Sequence, residues 1–369
     1  MRWFGRKSAD VPPMFLSYAV PSERNLFPSG YQAQLKEVFL SNPVGQRAVR
    51  MVAGAVGALK VYSVEGSPDA AALIGRATLL EQTAASLLLH GNAYLQLVEA
   101  LGAPAELFLL QPDRVTVDMD DRGWPRAYVY KAGRKSVRVS RHDALERVQL
   151  IHIKSLNPEQ DQQGLGCLDA ASAAASIHNR ASRWNKALLD NAARPSGALT
   201  YDPPDGAPLS APQFERLRDE IERQFTGSLN AGRPMLLEGG LRWQSLGLSP
   251  TDMDFVAVKE AAARDIALAF GVPPVLLGLP GDTSYSNMRE AGRALYRQTV
   301  LPLAERILGE VSEALRDWIG PVRLAVDTDA ISELAEDRER LWQMIANADF
   351  ISAEEKREML GFEIKGQQA

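Results

Sequence analysis

The sequence predicts an α+β fold, and three observations carry that prediction. Between residues 93 and 154, short apolar runs alternate with turn residues, the pattern of paired strands. On both sides of that region, apolar residues recur at three- and four-residue spacing, the period of helices packed by one face. Capping and breaking residues such as Asn42-Pro43, Gly91 and Gly271-Val272-Pro273-Pro274 mark where these segments stop.

The first thirty residues show no clear period and hold Pro12, Pro13, Pro21 and Pro28, which suits an arm. Leu35, Val38 and Phe39 predict a short helix. Ser41-Asn42-Pro43 predicts a break and a fresh cap, with Pro43 at the first helical position. Val44, Ala48 and Val52 continue that second helix toward Gly54 and Gly57. A further helix is expected from Ala72 to His90, closed by Gly91.

Strands are expected at Ala93–Val98, Glu106–Leu110 and Val115–Val117, the last two joined through Gln111-Pro112-Asp113. Ala127–Tyr130 and Val137–Val139 flank Lys131-Ala132-Gly133-Arg134 as a hairpin, and Val148–Lys154 is another strand. A long helix then runs from Leu168 to Asn191. Ile177, Ala181, Trp184 and Leu188 form its apolar stripe, so Trp184 is expected to be buried. Gly197–Tyr201 reads as a strand. Ser210-Ala211-Pro212-Gln213 is a capping box opening a helix to Phe225. Met235–Leu237 and Leu241–Trp243 are expected to form a hairpin around Glu238-Gly239-Gly240.

Ser249-Pro250-Thr251-Asp252 caps a helix ending at Phe270. Helical pattern resumes from about Ser286 and runs to Ile319. Pro302 within it predicts a kink or two helices in sequence. A charged helix is expected over Asp329–Ala346. Ser352-Ala353-Glu354-Glu355 is a second capping box, leading a short helix to Gly361.

Composition bounds the function. The 369 residues are 46% hydrophobic and 24% charged, the balance of a folded chain large enough for several packed units. No apolar run reaches the roughly 18 residues that a membrane span needs. The basic start, Met1 to Lys7, lacks the apolar core of a secretion signal, so a cytoplasmic chain is expected. Cys167 is the single cysteine, which excludes an intrachain disulfide and reads as a small buried hydrophobe. The net charge of −5 argues against a protein that grips duplex DNA through its phosphates.

Catalytic constellations are not found in the sequence. His90, His142, His152 and His178 have no partner at metal-ligand spacing, and no phosphate-cradling GxxxxGK[ST] or GxSxG elbow occurs. His90 is read as a helix-end residue facing the last carbonyls, and His152 as lying on the polar face of a strand. Ser284, Tyr285 and Ser286 sit in a polar loop without a nearby base. The acidic pairs Asp252/Asp254 and Asp327/Asp329 are explained by capping and solvated turns. No catalytic residue, metal site or cofactor is expected.

Several stretches, taken in order, resemble the HK97-type bacteriophage portal family, which includes the portals of prophages and gene transfer agents. They are Leu87-Leu88-Leu89-His90-Gly91-Asn92-Ala93-Tyr94, Leu110-Gln111-Pro112-Asp113-Arg114-Val115 and Asn191-Ala192-Ala193-Arg194-Pro195-Ser196-Gly197. Asn230-Ala231-Gly232-Arg233-Pro234 with Leu237–Leu241 follows, and then Phe270-Gly271-Val272-Pro273-Pro274-Val275-Leu276-Leu277-Gly278 with Tyr285-Ser286-Asn287. Leu301-Pro302 falls at the family's kink. Gly91, Asn92, Tyr94, Arg194, Pro195, Gly197, Gly271, Pro273, Pro274 and Pro302 are the structural positions of these stretches. The chain departs from the pattern at Gly164-Leu165-Gly166-Cys167-Leu168, where serine and proline are expected, and at Val300 between Thr299 and Leu301.

The resemblance implies a portal fold with a wing, helical stem, small α/β clip, long kinked helix and reduced helical crown. It divides the chain into an arm (1–30), wing (31–166), stem helix (167–194) and clip (195–249). A second stem helix (250–277), tunnel loop (278–287), kinked channel helix (288–324) and crown (325–369) follow. It implies a homo-oligomeric ring, expected to be a dodecamer, at one capsid vertex of a virion or phage-like particle. Double-stranded DNA would pass through without sequence-specific contact. The large terminase, the major capsid protein and a head–tail connector would be partners, with no membrane.

The tunnel loop would be Gly281, Asp282, Thr283, Ser284, Tyr285, Ser286 and Asn287, small and polar as a passage for a polyanion requires. The competing reading is a solvent loop that caps the next helix through Ser284 or Ser286. Arg180, Arg183 and Lys186 would face the duplex or pair with acids on a neighbouring subunit. A head–tail adaptor ring is the alternative function, and a metal-dependent hydrolase a more remote one.

Overall fold

Backbone amides at a helix start need acceptors, and Asn42 supplies one: its side-chain oxygen accepts from the N–H groups of Val44 and Gly45, both at 3.0 Å. In the computed structural model, which describes residues 28–190, 197–201, 210–216, 219, 241–245, 255–279, 284–348 and 350–359, this cap opens α2 (Pro43–Gly57). Before it, α1 (Tyr31–Leu35) passes into a π-helical turn, Lys36–Leu40.

Strand β1 (Val61–Glu65) is followed by α3 (Pro68–Ile74) and α4 (Ala77–His90). The single helix expected over Ala72–His90 is therefore two. Gly75 ends the first, where a Cβ would come within 2.7 Å of the Ala71 carbonyl oxygen. Gly91 closes α4 in the left-handed region at φ 78°, as its position after the apolar run predicts.

Two antiparallel three-stranded sheets follow. In one, β2 (Asn92–Ala100) lies between β3 (Ala103–Leu110) and β7 (Leu150–Lys154). The other is a meander of β4 (Val115–Met119), β5 (Pro125–Ala132) and β6 (Lys135–Ser140). Tyr94, Leu110, Val115, Tyr128, Val139 and Leu150 form a small core of their own.

Helix α5 (Leu168–Asp190) packs along α6 (Phe255–Ala269). Among the described residues its buried face meets the expected stripe only at Ala181. Leu168, Ala171, Ala174, Ala175, His178, Asn179 and Ala181 are buried, whereas Ile177 is 41% and Trp184 47% exposed. Alanines fill the most enclosed positions, and Trp184, half-exposed, sets its ring on Phe255 of α6 at 5.9 Å. Strand β8 (Gly197–Tyr201) forms as expected, but pairs with β9 (Leu241–Ser245). Residues 235–240 of the expected hairpin, the end of the helix to Phe225 and the Ser249–Asp252 cap lie outside the described residues. At Ser210 one half of the expected capping box is present, Gln213 Oε1 accepting from the Ser210 N–H at 3.0 Å and from its hydroxyl at 2.6 Å.

The longest element runs from 285 to 319 as α7 (Tyr285–Leu295), a π-helical turn (Tyr296–Val300) and α8 (Leu301–Ile319). At 1.5 Å per residue it spans about 50 Å. Pro302 stands at the start of the second α-helical segment, so the two helices in sequence that it predicts are present, joined by the π turn. In the π turn the Leu301 N–H reaches back to the Tyr296 carbonyl, and this wider turn sits where the proline ring would otherwise meet the preceding carbonyls. Then β10 (Arg323–Val326), a strand the sequence pattern did not suggest, pairs antiparallel with β1. The charged segment begins as two short 3₁₀ turns, and its helix α9 starts at Ala335 and ends at Ala346. α10 (Ala353–Met359) opens with the expected box, Ser352 N–H donating to Glu355 Oε2 at 2.8 Å. One main core joins α1 to α8 with β2, β7 and β10.

Candidate functional site

Only Ser284 to Asn287 of the expected tunnel loop are described; Gly281, Asp282 and Thr283 lie outside the described residues. Ser284 is the cap of α7, its Oγ accepting from the Asn287 N–H at 3.4 Å. Tyr285, Ser286 and Asn287 therefore belong to the first turn of a helix and not to a loop. Tyr285 projects outward, 78% exposed, beside the Arg289 guanidinium at 5.4 Å.

What leads into this segment is tightly built. Gly271 takes φ 65°, and a Cβ there would stand 2.7 Å from Thr299 Oγ1. That hydroxyl donates to the Gly271 carbonyl at 2.7 Å, tying the end of α6 to the π turn before Pro302. Phe270 and Val272 are buried on either side. Pro273 is extended and Pro274 starts a 3₁₀ turn to Leu277, ended by Gly278 in the left-handed region. The Gly-Val-Pro-Pro stretch thus fixes how the chain leaves α6.

Arg180, Arg183 and Lys186 are all exposed on α5. Arg183 meets Glu37 of its own chain at 3.3 Å, so a contact with the adjoining π turn is present within the subunit. Beside it, Asn42 Nδ2 donates to Asn179 Oδ1 at 2.9 Å and meets His178 Nδ1 at 3.2 Å. Burial lowers the His178 pKa, in keeping with a neutral ring whose Nδ1 accepts.

The stretch Gly91-Asn92-Ala93-Tyr94 builds a second polar hub. Asn92 is fully buried. Its Oδ1 accepts from the Gly164 N–H at 2.7 Å and from His152 Nε2 at 2.9 Å. Its Nδ2 donates to the Gly164 carbonyl at 3.1 Å and lies 3.0 Å from His90 Nδ1. Three glycines make room for it. A Cβ on Gly91 would stand 2.3 Å from the Leu165 carbonyl carbon, one on Gly164 2.0 Å from the Gly91 oxygen, and one on Gly166 2.4 Å from the Leu89 oxygen. This crossing explains glycines where the family pattern suggests serine and proline.

His152, expected on the polar face of a strand, is partly buried and bonded to Asn92. It stacks on Tyr94 at 4.3 Å, and burial, with Lys154 and Arg141 nearby, lowers its pKa to about 3. His90 likewise turns from the helix carbonyls toward Asn92 and the edge of Tyr31, and burial lowers its pKa. The Tyr31 hydroxyl is pushed up to about 12 by burial and by Asp113. Cys167 is half-buried and its thiol is raised by burial, which matches the reading of a small hydrophobe.

An ion-pair cluster was not suggested by any sequence pattern. Arg289, Arg293 and Arg297 repeat every four residues along α7 and its π turn, and Glu336 and Asp337 of α9 face them. Arg293 is 8% exposed and also pairs with Glu290 at 2.9 Å. The four-residue spacing was visible; its partners forty residues away were not. Among the described residues no group of three or more His, Cys, Asp or Glu could hold a metal ion, and no helix is long and apolar enough to cross a membrane.

The family model described as phage portal protein matches residues 43–361. An uncharacterized protein of Rickettsia bellii is 43% identical over 292 residues, 77% of this chain and 74% of its own length. The probable portal protein of Streptomyces phage phiC31 is 27% identical over 240 residues, 63% of this chain and 51% of its own. Among solved structures, a chain in the neck of the native GTA particle computed with C12 symmetry is 43% identical. It covers 91% of this chain and 94% of its own length with a TM-score of 0.71. An HK97 family phage portal protein from Corynebacterium diphtheriae, 18% identical, shares the fold at a TM-score of 0.57 over 83% of this chain and 98% of its own length. The mixed helix–strand fold is thus that of structural proteins from the necks of phage-like particles. The chain belongs to the phage portal protein family.

Proposed function

We propose that the protein is the portal subunit of a phage-like particle, forming a closed ring at one capsid vertex through which double-stranded DNA is packaged and later ejected. The observation that carries this is the 43% identity, over 91% of the chain, to a protein in the neck of a gene transfer agent particle solved with twelve-fold symmetry. A closed ring of head-to-tail subunits follows from such symmetry. In this reading residues 31–166 form the wing, 167–194 and 250–277 the stem, 195–249 the clip and 325–369 the crown. The segment 278–287 lies at the narrowest part of the channel, with Ser284 marking where loop becomes helix. The large terminase, the capsid protein and a head–tail connector are its partners at successive stages.

Native mass spectrometry with negative-stain imaging of the purified protein tests the ring. A species of about twelve subunits with a central hole is the expected result. A monomer that stays monomeric when mixed with the particle's capsid protein would overturn the proposal and favour an adaptor.

A further inference from the structure

Arg289, Arg293 and Arg297 follow one another at about 6 Å along α7 and its π turn, at 1.5 Å per residue. Glu336 of α9 meets Arg289 and Arg293, and Asp337 meets Arg297 and, at 3.6 Å, the Nε of Arg293. Three cations therefore share two acids of α9, with Glu290 of α7 adding a third at Arg293.

The middle and the ends of this ladder differ. Arg293 is 8% exposed, and its Nε has no hydrogen-bond acceptor among the described residues. A buried donor left open is costly, so the acids of α9 do not complete the site. Arg289 and Arg297 are half-exposed, and each reaches its acid through one terminal nitrogen. A guanidinium carries five N–H donors in a planar fork, so donors at both ends of the ladder remain open to a second acceptor. The cover itself is held mostly by charge, since Ile345 is the one buried residue of α9. Such a cover competes on equal terms with any other row of anions.

We infer that the ladder is a strip for the phosphate backbone of duplex DNA, and that α9 shields it by supplying Glu336 and Asp337 where phosphates would sit. Arginine forks take phosphate oxygens as they take carboxylates. The inference rests on the portal reading, in which the segment 278–287 just before α7 borders the passing duplex. A bare row of three arginines there would hold a polyanion that has to slide. The shield lets the helix carry these cations without gripping DNA, in keeping with the net charge of −5.

Titration of the full-length protein with a labelled duplex of mixed sequence, at several salt concentrations, tests this. Glu336→Gln with Asp337→Asn should bind about tenfold tighter than wild type at low salt. Its log–log salt slope should steepen by about 2 to 3, near one counterion for each freed arginine. Glu81→Gln with Glu159→Gln removes two exposed acids elsewhere and should gain no more than about twofold. Adding Arg289→Gln and Arg297→Gln to the unshielded variant should return it to the wild-type affinity. Equal gains in the two acid-removal variants would overturn the proposal, and so would a gain that survives loss of both arginines. Glu336→Gln alone keeps Asp337 on Arg293 and Arg297, and serves if the double variant loses its melting transition. It should gain about threefold, and no gain beyond the distant control overturns the proposal as well. Native mass of the same samples reads the ring separately. A wild type without a ring fails the portal reading, whereas the shield is decided by comparing variants with one another.

Discussion

At the scale of single residues, stability rests on two buried asparagines that use both ends of their amides. Asn92 holds the end of α4, strand β7 and the 164–166 segment together through four contacts. Truncation would leave the Gly164 N–H and carbonyl and the His152 Nε2–H without partners, each costing about 1–3 kcal/mol when buried. Asn92→Ala should therefore lower unfolding free energy by about 3 kcal/mol or more, read as a drop in urea midpoint at constant slope. A loss under about 1 kcal/mol would mean that water replaces the amide. The histidines around these hubs set the response to acid. His152 is lowered to about 3 against an ordinary value near 6.5, so the unfolded chain takes up its proton first as pH falls. Stability from this group is complete above about pH 6.5 and is lost progressively down to about pH 3, at order 1 kcal/mol per pH unit. His90 and His178 are lowered mainly by burial and add the same sign. Melting curves between pH 7.5 and 5 should fall more steeply for the wild type than for His152→Gln. Equal slopes would remove His152 as a source.

At the scale of elements, the sequence was legible wherever a local signal decides structure. Asn42-Pro43, Gly91, Ser210 and Ser352 sit at the helix boundaries their chemistry predicts, and the apolar runs of β2 to β7 became strands. It misled where partners decide. The large residues Ile177 and Trp184 marked the apparent stripe of α5, but both stay half-exposed, Trp184 against Phe255, and the enclosed positions are mostly alanines. Four-residue strand β10 has no period to detect and exists because β1 accepts it. Pro302, by contrast, signalled a break that is present, since a π turn divides α7 from α8 just before it. The arginine clamp belongs to this scale too. Ile345 is the one buried residue of α9, so the helix is held to α7 chiefly by Glu336 and Asp337 meeting Arg289, Arg293 and Arg297. Arg293→Met should speed amide exchange across 335–346 about tenfold, while the core helices α2 and α4 keep their rates. Raising salt in the wild type should act in the same direction, because partly exposed ion pairs are screened. Unchanged exchange in the variant would assign the docking to Ile345 and its neighbours.

At the scale of the whole molecule, the proposed channel depends on how the chain passes from α6 to α7. Both ends of that passage are fixed. Gly271 is locked against Thr299, Pro273 and Pro274 set the exit, and Ser284 caps the helix that resumes. Between Gly278, in the left-handed region, and that cap lie residues 279 to 283, which can extend no further than about 17 Å. If this segment meets passing DNA once in every subunit of a ring, a change in its backbone freedom is multiplied by the subunit number. Gly281→Pro removes that freedom by fixing φ and deleting a backbone donor, and leaves Gly271, Thr299 and Ser284 themselves unchanged. Rings of normal mass should therefore form with an unaltered melting temperature, while the yield of DNA-filled particles falls steeply. Gly281→Ala, which narrows backbone freedom less, should give an intermediate yield. Normal packaging in the proline variant would remove 278–287 from the narrow part of the channel. Loss of the ring itself would instead make the segment part of a subunit contact.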